Sequence, residues 1–195
     1  AGLVWDTPNQ FKSNTQYDSS NETLMELAWE ALEYNLGSIA LSDDYADSLG
    51  LPRARRYPWD DSKGLYFLNG YHSIHCLKII RRTITQLYSN EVPSSHPRHW
   101  KHCLDSLLQD TLCVADDTPR HVPVDPLGLP GMGQARACRN WNKLETFATK
   151  HWSCWKNVKP TDSSVDGILR FIYCPPDSPY QEKIHQALRN SDDEE

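Results

Sequence analysis

Apolar residues recur at helical spacing in five stretches of this chain, separated by polar or proline-broken segments. Leu24, Leu27, Ala28, Ala31 and Leu32 form an i, i+3, i+4 stripe, which predicts a helix opened by Asn21-Glu22-Thr23 with Gly37 just past its end. A second helix is predicted from Tyr71 to Tyr88, ended by Ser89-Asn90 and Pro93. A third starts at Pro97, a favoured first-turn residue, and runs to Ala115. Trp141 to Ala148 predicts a fourth, short helix, and Tyr180 to Leu188 a last amphipathic one. Residues 38–69 read as irregular, with Tyr66-Phe67-Leu68 as a short strand, and Val165 to Tyr173 reads as a second strand. Residues 119–133 hold four prolines and three glycines, which makes them a candidate lid. Residues 1–20 suggest an extended arm, and residues 189–195 an acidic, disordered tail. The expected fold is mostly α: a single disulfide-stapled helical domain over residues 21–188, with long irregular loops and at most a small β element.

Composition narrows the partners. A chain of 195 residues has room for one domain with a real core. The net charge of −6 argues against nucleic acid, whose binding draws on clustered Lys and Arg. The one dense basic stretch, Arg53-Ala54-Arg55-Arg56, reads as solvated surface. No apolar window is long enough to span a bilayer. Six cysteines, an even number, fit an oxidising compartment, and the glycosylation sequon Asn21-Glu22-Thr23 agrees with a lumenal or extracellular glycoprotein.

The candidate chemistry lies in a repeat. His-x-x-His-Cys occurs as His72-Ser73-Ile74-His75-Cys76 and again as His99-Trp100-Lys101-His102-Cys103. Imidazoles three apart share one helix face, and neutral imidazole is the commonest protein ligand for late transition metals. The two pairs offer four nitrogens to one metal ion, or two to each of two. Both motifs sit in the first turns of their helices, so a plain antiparallel hairpin would separate them. They meet only if the connecting segment returns along the second helix, or if the helices cross near their starts. A Cys76–Cys103 disulfide would tie those starts together and leave the metal with nitrogen ligands alone. Two thiolates with histidines would instead form a tetrahedral zinc site. Nitrogen-only coordination suits copper, and three histidines with water also suit zinc. His121 and His151 are outside candidates for a further ligand, while His96 and His185 read as ordinary surface residues. Ser106, Asp110 and Cys113 continue the histidine stripe, with Asp110 a candidate acceptor for an imidazole N–H. Trp29, Trp141, Trp152 and Trp155 read as core. Pairings among Cys113, Cys138, Cys154 and Cys174 stay open.

Tyr71-His72-Ser73-Ile74-His75-Cys76-Leu77, followed by His99-Trp100-Lys101-His102-Cys103-Leu104-Asp105 and Cys113-Val114-Ala115-Asp116, resembles the UstYa-like family of fungal secondary-metabolite oxidases. Trp29-Glu30-Ala31-Leu32, Leu49-Gly50-Leu51-Pro52 and Cys138-Arg139-Asn140-Trp141 extend the likeness over roughly residues 25 to 150. One departure is Arg136, where the family often has a histidine. The resemblance implies copper, one ion or two, held by His72, His75, His99 and His102. It also implies dioxygen, a small-molecule or peptide substrate, and halide where halogenation is the outcome. Macrocyclisation, hydroxylation, desaturation and chlorination all begin by removing hydrogen from a C–H bond, so the motif does not choose among them. The resemblance further implies a secretory-pathway protein whose N-terminal membrane anchor is missing from this chain. The alternative reading is a secreted zinc-binding protein, hydrolytic or structural. A hydrolase would need a general base, for which Glu91 and Asp105 are weak nominations.

Overall fold

The computed structural model describes residues 2–10, 12, 15–114, 133–158 and 167–192. In chain order the elements are β1 (Trp5–Gln10), α1 (Glu22–Ala31), β2 (Ser38–Ser42), α2 (Asp43–Ser48), β3 (Arg56–Tyr57), β4 (Asp60–Phe67), α3 (Asn69–Tyr88), α4 (Pro97–Val114), β5 (Ala135–Arg139), α5 (Trp141–His151) and α6 (Gln181–Asp192). The fold is therefore mixed α/β, predominantly helical, and not the mostly α domain with at most a small β element that the periodicity suggests. Two antiparallel sheets overturn that expectation: a two-stranded β1-β5 ribbon and a three-stranded sheet in the order β2-β4-β3.

The chain divides into two compact units. The first comprises Ala1–Tyr34 and His72–Leu144, the second Asn35–Tyr71 and Glu145–Glu195. In the first unit, β1 places Pro8 opposite Ala137 and Asn9 opposite Arg136, so the extended arm is partly a paired strand. Helix α1 starts where Asn21 Oδ1 accepts the Leu24 N–H. It is joined to α3 by Arg81, which forks onto Glu26 and lies 5.4 Å over the Trp29 ring. Lys78 Nζ donates to the carbonyls of Glu30 and Leu32, satisfying acceptors left over at the C-terminal end of α1.

In the second unit, β4 is the central strand, with Ala40 opposite Leu65 and Arg56 opposite Gly64. Residues 38–69, read as irregular, thus supply the whole sheet and α2. The buried core of this unit includes Tyr57, Trp59, Phe171 and Ile184 around a Cys154–Cys174 disulfide. Trp59 Nε1 donates to the Phe171 carbonyl at 2.7 Å, so that side chain is buried with its polar group satisfied. Residues 167–171 form a 3-10 turn and not the expected strand. Gly37 is held to glycine by contact: a Cβ there would fall 2.3 Å from the Tyr71 Cβ.

Helices α3 and α4 match their predicted spans closely. Helix α6 runs on through residue 192, into the segment expected to be a disordered tail; residues 193–195 lie outside the described residues. So does the candidate lid, apart from Gly133. Trp141 is exposed at 41% and is not core; Trp29, Trp152 and Trp155 are half-buried.

Candidate metal centre

Both His-x-x-His-Cys motifs fall within the first unit, on α3 and α4, and the fold brings them together. The ring of His75 packs against that of His99 with centroids 5.4 Å apart, and the ring of His72 against that of His102 at 5.8 Å. Moving up α3 from 72 to 75, the partner moves down α4 from 102 to 99, so the two helices run antiparallel here. From His75 to the end of α3 is roughly 20 Å at about 1.5 Å per residue, and the connecting segment must cover it backwards. Its first step back is made on the last turn of α3, where the backbone N–H and the hydroxyl of Ser94 both donate to Gln86 Oε1.

The closest approach is between His75 Nε2 and His99 Nε2, at 3.3 Å. Two nitrogens on one ion, at bonds of about 2.0 Å and a tetrahedral angle, are about 3.3 Å apart, so this pair fits a shared ligand. Burial, then the neighbouring His99, His72, Arg82 and His102, pull the His75 imidazole down to about 4. Burial and His102 lower His72 as well, against an opposing pull from Asp110. Both rings are accordingly neutral at physiological pH, the form that binds metal. His72 Nδ1 lies 3.4 Å from the Ser106 hydroxyl, which leaves Nε2 as the nitrogen open to a ligand. Among the described residues no group of three or more His, Cys, Asp or Glu side chains converges tightly enough to hold an ion. The donors thus stand as two pairs, whose rings must turn to make a four-nitrogen set.

Cys76 and Cys103 are both fully buried and their thiols contact each other, but they are thiols in this structure and not the expected bridge. Burial, then the adjoining Cys103, pushes the Cys76 thiol up to about 12, and burial also raises Cys103. Neither is therefore a ready thiolate. Asp110 Oδ2 accepts from the Ser73 hydroxyl at 2.7 Å, and its charge acts on the His72 imidazole. Ser106, on the same stripe, brings its hydroxyl 3.4 Å from His72 Nδ1. One residue of the site carried no sequence signal: Tyr34, whose ring lies 5.0 Å from His75 with Lys78 Nζ 5.4 Å over it.

His96 Nδ1 accepts the Arg98 N–H at the start of α4, and His185 is exposed on α6. His151 belongs to the second unit, stacked on Tyr45 and beside Phe147, and His121 lies outside the described residues. Arg136 is on β5. Cys113 and Cys138 are also free thiols.

The family model described as "Mycotoxin biosynthesis protein UstYa" matches residues 4–151, a span that includes both motifs. The chain is 36% identical to a chlorinase, cctP2, of Talaromyces islandicus over 89% of its length and 58% of the relative's. It is 34% identical to a hydroxylase, cctR, of the same fungus over 75% of its length and 56% of the relative's. A UstYa family oxidase, phomYd, of Diaporthe leptostromiformis is 29% identical over 68% of this chain and 46% of its own. The chain thus spans about half the length of the curated relatives it matches. No solved structure matches it. With its doubled motif on two facing helices and these relatives, the chain belongs to the UstYa family of mycotoxin biosynthesis proteins.

Proposed function

We propose that this protein is a copper-dependent oxidase that functionalises a C–H bond of a fungal secondary metabolite or peptide. The observation that carries the reading is the 3.3 Å approach of His75 Nε2 and His99 Nε2, with the His72 and His102 rings as a second pair beside it. The names of its relatives, a chlorinase and a hydroxylase, describe two ways of ending such a reaction. Copper, when bound, supplies the activation of dioxygen needed to remove hydrogen from an unactivated carbon.

The chain's own residues do the rest. His75 and His99 present facing Nε2 atoms, and Ser106 holds Nδ1 of His72 so that its Nε2 is offered. Burial keeps His72 and His75 unprotonated and ready to bind. The Tyr34 ring packs on His75. Either outcome, hydroxylation or chlorination, then depends on how the pocket holds the substrate and whether halide enters. In an oxidising secretory lumen, where we place the protein, the touching Cys76 and Cys103 thiols would become a disulfide by passing two electrons and two protons to the compartment's disulfide pool. Among the described residues no helix is long and apolar enough to cross a membrane.

Metal analysis with electron paramagnetic resonance on copper-loaded protein tests the reading, wild type beside His75→Ala and His102→Ala. A type II signal with nitrogen coupling, disturbed in both variants, is expected. Full zinc occupancy of purified protein, or copper binding indifferent to both changes, would sink it. A thiol count on denatured, unreduced protein separates the sulfur chemistries. Cys76 and Cys103 should not react if bridged; two thiols exposed only after chelation would point to thiolate–zinc.

A further inference from the structure

The second unit contains a cavity of about 310 Å³ that the histidine chemistry does not use. Its wall includes Tyr57, Lys63, Lys150, His151, Trp152 and Tyr180. We propose that this cavity binds a small molecule carrying one carboxylate on a flat apolar body.

The wall is aromatic on several sides, and its volume falls in the range of small-molecule sites. Trp152 is fixed there by a bridge between its backbone and Ile39, while the next residue, Ser153, donates its N–H to the Ser38 carbonyl. The indole Nε1 of Trp152 is buried and has no acceptor among the described residues. A buried donor without a partner is uncommon in native folds and calls for an acceptor. The ring that carries this donor forms part of the cavity wall.

The charges of the wall say how much anion fits. Lys63 is already engaged, 3.1 Å from Asp60 Oδ2 and 2.7 Å from the Tyr180 hydroxyl. His151 lies flat against Tyr45, at 4° between ring planes, and belongs to the aromatic wall. Burial, then the charge of Lys150, lowers its pKa, so it adds no positive charge. Lys150 makes no ion pair or hydrogen bond among the described residues. One unmatched cation favours a monoanion over a phosphate dianion, and the aromatic faces favour a flat body over a free ion. All of these residues lie within the second unit, so the inference stands apart from the metal reading.

The test follows the indole N–H resonance of Trp152, assigned by its loss in Trp152→Phe, while the whole chain is titrated with 1-naphthoate or its neutral counterpart 1-naphthamide. A saturable shift is expected, with naphthoate binding about tenfold more tightly than the amide. Lys150→Met, a change at an exposed position that should leave the fold intact, is expected to erase that tenfold difference and leave naphthamide binding unchanged. No shift with naphthoate, equal affinity for acid and amide, or a preference that survives Lys150→Met would each overturn the proposal.

Discussion

Ser106 shows how a residue of ordinary appearance acquires a role from its neighbour on another helix. Its hydroxyl, 3.4 Å from His72 Nδ1, fixes which imidazole nitrogen faces away. Partners of this kind orient metal-binding histidines, and removing one typically costs 10–100-fold in metal affinity. Ser106→Ala should therefore weaken copper binding by roughly tenfold or more in a competition titration with a chelator, and leave the melting temperature of the metal-free protein nearly unchanged. Unaltered copper affinity would remove Ser106 from the site. A second residue-scale prediction concerns Asp60, whose carboxyl is held down at about 2, chiefly by the Ser62 hydroxyl and then Lys63, against the opposing effect of burial. A depressed carboxylate stabilises the folded chain above its ordinary pKa and ceases to do so as pH falls through the folded value. Asp60→Asn should cost about 1 kcal/mol in urea unfolding at pH 7, and the difference should shrink between about pH 4 and pH 2. A gap that persists at pH 2 would mean the loss is one of packing. The four histidines and two cysteines were legible in sequence because a repeated spacing is visible without a fold. Tyr34 was not, since it reaches His75 from beyond α1, and no local pattern ties the two.

Among the elements, helices were easier to read than strands, for a physical reason. Helices α1, α3 and α4 carry apolar residues at a period that only a helix places on one face. Strand β4 begins Asp60-Asp61-Ser62-Lys63, which breaks the alternation expected of a half-buried strand. What makes it a strand is tertiary: it lies between β2 and β3 and pairs with both. The turn leading into it is held locally by Asp60, whose side chain accepts from both the N–H and the hydroxyl of Ser62. Helix α1 offers a test that separates local structure from modification. Asn21 both caps the helix and heads the glycosylation sequon. In protein made without glycans, Asn21→Ala should lose about 1 kcal/mol, the usual worth of an N-cap, whereas Thr23→Ala should change stability little. In protein from a secretory host, both changes should abolish any glycan at that site. Equal destabilisation by the two changes in the glycan-free protein would show that Asn21 does not act as a cap.

At the scale of the whole molecule, the chain passes between its two units at 34/35, within α3 at 71/72 and within α5 at 144/145. A one-dimensional hydrophobic pattern cannot display such an interleaving, which is why a reading by periodicity yields one helical domain. The Cys154–Cys174 bridge lies wholly within the second unit and links residues 20 apart in sequence. Its cross-link shortens the unfolded chain's reach, and a closed loop of that size is worth about 3 kcal/mol. Both sulfurs are buried beside Tyr57, whose hydroxyl is 3.6 Å from Cys154 Sγ, so removing them also disturbs the core of that unit. The double change Cys154→Ala with Cys174→Ala should therefore lower hydrogen-exchange protection in the β2-β4-β3 sheet and α6 by an amount equivalent to about 3 kcal/mol or more. Helix α4 lies entirely in the first unit and should lose less. The copper binding proposed for His99 and His102, which α4 carries, should then survive conditions that open the second unit. If α4 lost protection to the same extent as the sheet, the two units would be a single cooperative structure. The metal centre would then depend on a disulfide that belongs to neither of its motifs.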